Sequence, residues 1–298
     1  MAQQRTVSVT TKAITGPGGS RIHVERRKPE GTSPQRSVLL IHGLGGTVDV
    51  FYPIYVSLLS AIPDATLLSF DWPGHGASSL PAHAVSDAPN HRPLALADLL
   101  ASIEAVIASE APNGPISIIA HSAGSLLALS LLDKASLALL ARLSHAAFLG
   151  GPMDLPFPPE VVARQQGMAG LVASSGQAVL VDALLPALTG TTTMRARPLA
   201  AALVRATTMG QSKEGYAAGI LAFAEGFKDA TVRWETLPKD VRLLVIGGSE
   251  DQFVDPSSLG AIANKMGAQH ATVQDVGHSP MIEDPETTTE ILSKFLSV

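Results

Sequence analysis

The sequence predicts an α/β fold: a mostly parallel sheet with helices on both faces and a helical cap inserted late in the chain. Three observations carry this reading. Short, continuous apolar runs of strand length alternate with helix-period segments over residues 37–150 and again over 241–296, as in strands buried on both faces and joined by crossover helices. Between these stretches, from about 159 to 228, the strand rhythm stops and Ala-rich helical patterns take over. The residues with chemical potential cluster just past the C-terminal ends of the predicted strands, which is where open α/β sheets place their sites. The expected organisation is a core made of 1–152 and 237–298, with 153–236 as the cap.

Each element has its own signal. Thr6 to Ile14 and Arg21 to Glu25 alternate in polarity around Gly16-Pro17-Gly18-Gly19, which predicts an antiparallel hairpin at a sheet edge. Ser37 to Ile41 is a buried strand running into His42-Gly43-Leu44-Gly45-Gly46, followed by a helix from about Phe51 to Ala61. Ala65 to Phe70 is another strand, closed by Asp71-Trp72-Pro73-Gly74-His75-Gly76-Ala77-Ser78. Ser79 to Pro93 reads as a loop and Leu94 to Glu110 as a helix. Ile116 to Ala120, a small-residue corner at Ser122, and the Leu-rich run to Leu132 read as strand, sharp turn and helix. Ala146 to Gly150 is a strand, and the cap follows. Its helical stretches include Gly170 to Leu188 and Gly215 to Phe227, with Pro186 and Gly190 as breakers. Val241 to Ile246 restores the strand pattern, Ser257 to Met266 is a helix, His270 to Val276 a strand, and Glu286 to Leu296 the closing helix.

Composition narrows the function. At 46% apolar, 16% charged and net charge −5 over 298 residues, the chain makes no electrostatic case for nucleic acid or an anionic membrane. With no cysteine, disulfides, thiolate catalysis and Cys-ligated metal are excluded together. The histidines are scattered and the acids show no ligand spacing, so neither a metal nor another cofactor is expected. The first residues lack a signal-peptide apolar core and no membrane-length run is free of polar breaks, so the expectation is a cytoplasmic protein.

Acyl transfer by serine needs a base, an acid that orients it, and donors for the oxyanion. Ser122, in Ala120-His121-Ser122-Ala123-Gly124, stands at a strand-to-helix corner where the helix N-terminus favours a developing anion. The usual elbow is G-x-S-x-G, and Ala120 replaces its first glycine. His278 follows the last predicted strand and is the candidate base. Asp251, in Gly248-Ser249-Glu250-Asp251, is the candidate acid, with Glu250, Asp255 and Asp154 as contenders. The backbone N–H groups of Leu44 and Ala123 are the candidate oxyanion donors. His42 and His75 read as turn-holding residues, His121 as support or pocket lining, and Trp72, Phe51 and Tyr52 as core. Met153, Met168, Met194, Met209 and Met281 are core fillers or cleft lining.

The motifs at 42–46, 71–78, 120–124, 248–251 and 277–278 together resemble those of the α/β-hydrolase-fold serine hydrolases, in the branch with a helical cap after the sixth strand. By that resemblance Ser122, Asp251 and His278 correspond to nucleophile, acid and base, and Leu44 and Ala123 to the oxyanion donors. Dehalogenases and epoxide hydrolases of this fold carry aspartate at the elbow, which Ser122 does not match. The expected function is hydrolysis of a carboxylic ester or lactone. A cap rich in Ala, Leu and Val implies a small to medium apolar or aromatic substrate. Two alternatives share the sequence: carbon–carbon hydrolysis of a β-diketone with the same residues, and a ligand receptor on the same fold. Either a monomer or a homodimer is compatible, the latter through the apolar segment Leu171 to Leu188.

Overall fold

The computed structural model describes residues 6–85, 90–231, 234 and 237–297. Its strands are β1 (Val7–Thr15), β2 (Arg21–Pro29), β3 (Arg36–Ile41), β4 (Ala65–Phe70), β5 (Ile116–His121), β6 (Leu143–Leu149), β7 (Arg242–Gly248) and β8 (Gln269–Val273). They form one sheet in the order β1-β2-β4-β3-β5-β6-β7-β8. β2 pairs antiparallel with β1 and with β4, and every other neighbouring pair is parallel. The core helices are α1 (Tyr52–Ala61), α2 (Leu96–Glu110), α3 (Ala123–Lys134) and α4 (Leu137–Leu140). Five more lie between β6 and β7: α5 (Pro159–Ser175), α6 (Gln177–Leu188), α7 (Thr191–Ala196), α8 (Pro198–Met209) and α9 (Lys213–Phe227). The chain closes with α10 (Pro256–Met266), α11 (Pro280–Glu283) and α12 (Pro285–Leu296).

The two-residue period of a strand explains why the central runs are apolar throughout. In β3, Leu39 and Ile41 join a core with Ile103 of α2 and Leu127 of α3. Val38 and Leu40 point the other way, onto Ile54 and Leu58 of α1 and Leu292 of α12. The same split divides Ile118 from Ile119 in β5 and Val245 from Ile246 in β7. Both faces of these central strands are therefore covered, which is why their runs carry apolar residues on both sides of the sheet.

Topology then positions the site. From β3 the chain passes to β4 on one side, while β5 lies on the other, with Ile41 paired to Ala120. The loops that leave β3 and β5 consequently meet at the point where strand order reverses, the crevice that such sheets use for ligands. Over this crevice sits the helical insertion, with its own small core of Ala169, Val172, Leu180, Tyr216, Ala217 and Ile220.

Several elements depart from the sequence reading. β2 runs on to Pro29, and β8 stops at Val273, three residues short of Val276. Gly170 to Leu188 is divided between α5 and α6 at Gly176, whose φ of +81° leaves the helical region. Pro186 does not break α6: it lies in the last turn of the helix, and the carbonyl it leaves unbonded belongs to exposed Asp182. Tyr52 is not core; half exposed, it lies under the Arg27 guanidinium. Part of the expected loop at 79–93 (residues 86–89), and the expected cap boundary at 236, lie outside the described residues.

Candidate active site

Ser122 joins β5 to α3 with φ +53° and ψ −123°, a conformation that a side chain adopts only under constraint. The constraint is visible: its N–H donates to the Leu149 carbonyl at 2.8 Å, and its carbonyl accepts from Ser125 N–H at 2.8 Å. Two residues on, a Cβ on Gly124 would sit 2.6 Å from the Ile41 carbonyl and 2.5 Å from that of His42. Only glycine lets helix and strand approach so closely. The Ser122 hydroxyl caps nothing in α3, which leaves it to the imidazole.

His278 faces it, with Nε2 2.7 Å from Ser122 Oγ and Nδ1 2.9 Å from Asp251 Oδ2. Asp251 Oδ1 accepts from the N–H groups of Phe253 and Val254 at 2.7 and 3.1 Å. Burial works to raise the Asp251 carboxyl, but His278 and the two N–H donors outweigh it and hold the group below its ordinary value. An ionised Asp251 can only accept, so Nδ1 carries the imidazole proton and Nε2 is left to take one from Ser122.

The contending acids are engaged elsewhere. Glu250 accepts from Thr192 N–H and Oγ1 at 2.8 and 2.7 Å. Asp255 caps α10 through Ser257 N–H, and Asp154 forms an exposed ion pair with Lys265. His121 is turned from the hydroxyl, and its Nε2 contacts the His278 carbonyl at 2.9 Å. Burial, reinforced by neighbouring His278, pushes His121 down to about 3, so it stays neutral and donates.

Ala123 opens α3, and a first-turn N–H has no acceptor within its helix. The direction of the Leu44 N–H follows from its neighbour. Trp72 N–H donates to His42 Nε2 at 3.0 Å, so the ring proton is on Nδ1, which donates to the Gly43 carbonyl at 2.7 Å. Gly46 N–H donates to that same carbonyl at 3.0 Å. In a trans peptide C=O and N–H point opposite ways, so the Leu44 N–H is aimed away from these donors. Burial, first, and His75 keep His42 well below its ordinary value and hence neutral.

Leu44, Ser122, Ala123 and His278 all line one cleft of about 100 Å³ between the sheet edge and the insertion. Its other walls are mainly apolar, among them Met153, Met168, Leu184, Leu188 and Phe223. Met281 by contrast is core, and Met194 is 41% exposed. Among the described residues, no group of three or more His, Cys, Asp or Glu is placed to hold a metal ion.

Three contributors were missed at the sequence level. The Phe253 ring lies beside that of His278, tilted to it, with centroids 5.1 Å apart. Glu283, 1% exposed, accepts from Gly277 N–H at 2.8 Å and Ser279 N–H at 2.9 Å, on either side of His278, and from Gly190 N–H of the insertion at 2.8 Å. Gln211 reaches the glycine turn from the insertion. Only Glu283 had a local signal, as an acid five positions beyond the histidine, directly after the apolar run Pro280-Met281-Ile282.

A family model described as the alpha/beta hydrolase family matches residues 38–291. No curated protein matches the chain at a significant level. Among solved structures, the chain is similar to a thermophilic esterase from Thermogutta terrifontis (TM-score 0.80, 21% identity, 97% of this chain and 98% of that one). It is also similar to the enol-lactonase from Burkholderia xenovorans LB400 (TM-score 0.79, 22% identity, 96% and 100%). A bromoperoxidase from Bacillus anthracis aligns as well (TM-score 0.76, 16% identity, 98% and 100%). At these identities the likeness is one of fold, and the fold hosts several chemistries.

Proposed function

The chain belongs to the alpha/beta hydrolase family, and from that premise we propose that it is a serine hydrolase cleaving a carboxylic ester or lactone through an acyl-enzyme. The observation that carries the reading is the unbroken chain from Ser122 Oγ through His278 to Asp251, at 2.7 and 2.9 Å, beneath a mainly apolar cleft. Ser122 Oγ attacks the carbonyl carbon while its proton passes to His278 Nε2, and Asp251 stabilises the imidazolium. The Leu44 and Ala123 N–H groups hold the oxyanion. As the tetrahedral adduct collapses, His278 returns the proton to the departing alkoxide. It then takes a proton from water as the resulting hydroxide attacks the acyl carbon, and when this second adduct collapses it gives that proton back to Ser122 Oγ, releasing the acid and the free serine. The helical insertion acts as the cap, and its Met and Leu walls suit a small to medium apolar or aromatic substrate. An esterase and an enol-lactonase among the similar folds support the reaction class.

A fluorophosphonate probe followed by a panel of aryl esters and lactones tests this, with Ser122→Ala and His278→Ala beside the parent. The expected result is labelling and turnover in the parent and neither in Ser122→Ala. Labelling that persists in Ser122→Ala would assign the nucleophile to another residue. A β-diketone in the panel reports carbon–carbon cleavage directly.

A further inference from the structure

The turn Gly43-Leu44-Gly45-Gly46 has three glycines in four residues, so side-chain packing does little to fix its peptide planes. Gly45 takes φ +72°, and hydrogen bonds must set the rest. His42 of the core grips the near carbonyl. The two far carbonyls are gripped from the insertion.

Gln211, in the short segment between α8 and α9, is 4% exposed. Its Nε2 lies 3.3 Å from the Gly45 carbonyl, 3.0 Å from that of Gly46 and 3.0 Å from that of Thr207. Its Oε1 accepts from Gly76 N–H at 2.9 Å. Because Gly76 N–H can only donate, the amide oxygen must face it and the nitrogen must face the carbonyls. The backbone carrying Gln211 is itself held, since Gln177 Nε2 of α6 donates to the carbonyls of Met209 and Gln211 at 3.0 and 2.7 Å. Among the described residues, no other side chain bonds the carbonyls of 45 and 46.

We propose that Gln211 is a positioning residue for the oxyanion hole: by holding the carbonyls of Gly45 and Gly46, the insertion keeps the Leu44 N–H aimed at the reacting carbonyl. The inference rests on the serine hydrolase reading above. Removing Gln211's donor leaves two buried carbonyls of a glycine turn unheld, and the peptides can rotate to find other partners. The nucleophile, base and acid keep their contacts, because none of them touches Gln211.

The test uses Gln211→Met, which keeps length and bulk, and Gln211→Glu, which keeps the acceptor for Gly76 but sets a carboxylate against the two carbonyls. For each, ester turnover, inhibition by an alkyl trifluoromethyl ketone and inhibition by a simple carboxylate product are measured against the parent. The ketone forms a tetrahedral adduct with an oxyanion; the carboxylate does not. Direct loss of an oxyanion donor costs on the order of 10²–10³ in rate, so its misalignment should cost roughly 10–100-fold in kcat. The ketone's inhibition constant should rise by the same factor, and the carboxylate's should change less than about twofold. In Gln211→Glu the rate relative to the parent should recover as pH falls and the new carboxyl becomes a donor, which a loss of packing would not produce.

Parent-like kcat and ketone affinity in folded variants would overturn the assignment. Equal weakening of ketone and carboxylate would overturn it too, as a collapsed pocket. A parent protein that neither labels with fluorophosphonate nor turns over esters would instead remove the hydrolase reading and this inference with it.

Discussion

Asp251 and Glu283 are both buried carboxylates near one histidine, yet they are asked to do different things. Asp251 touches the His278 ring, whereas Glu283 touches only the backbone around it. Replacing Asp251 by Asn preserves shape but offers the imidazole the wrong tautomer. In the serine-protease template that change costs about 10⁴ in kcat, and a loss of this order with an unchanged circular dichroism spectrum is expected here. Glu283→Gln should instead lower stability by about 1–3 kcal/mol, because the amide nitrogen cannot accept and leaves buried N–H donors unpaired. Urea denaturation measures it, and a midpoint equal to the parent's would contradict it. The two residues also mark what a sequence can disclose. Ser122 directly follows a strand, and Asp251 and His278 stand within five residues of one, so local pattern reaches them. Gln211 lies 165 positions from Gly46, and nothing in its neighbourhood announces that its partners are carbonyls of another loop.

Elements follow the same logic one level up. β3 was legible because burial on both faces forces Val38, Leu39, Leu40 and Ile41 to be apolar in succession. Leu40→Ala should accordingly destabilise the fold by about 2–5 kcal/mol, since packing between β3 and α1 cannot close the gap; a thermal melt shifted by less than a few degrees would count against it. The insertion was legible as helical but not in its breaks. Gly176 ends α5 in a conformation that disfavours other residues, while Pro186 rides within α6 because water can satisfy the carbonyl it frees. Breaker residues say that a helix can stop, and the tertiary surroundings decide whether it does. Gly176→Ala should cost about 1–3 kcal/mol through its positive φ, read from the same melts.

At the scale of the whole molecule, three of the buried histidines, His42, His75 and His121, make an acid-sensitive body. Burial lowers His75 to about 4 and, with help from His278, His121 to about 3; His42 is held well below its ordinary value by burial and by His75. Each remains neutral when folded but takes up a proton when unfolded once pH drops below about 6.5. The unfolded state then binds more protons, so stability falls with falling pH. His23, raised by the Glu25 carboxylate 3.6 Å from its Nε2, runs the opposite way and offsets part of the loss. Unfolding free energy should therefore decline from pH 7 toward pH 5, before the carboxylates titrate, and His121→Gln should flatten the slope by about one proton. A flat profile over that range would refute the assignment of three neutral rings. One further consequence follows from the bridge that Glu283 makes between Gly190 and Gly277. A single oxygen, Glu283 Oε2, thus ties the helical insertion to the backbone next to His278. On the proposed reading, a substrate bulky enough to shift the insertion would pull on the backbone that holds His278, so turnover of bulky esters should fall below that of small ones.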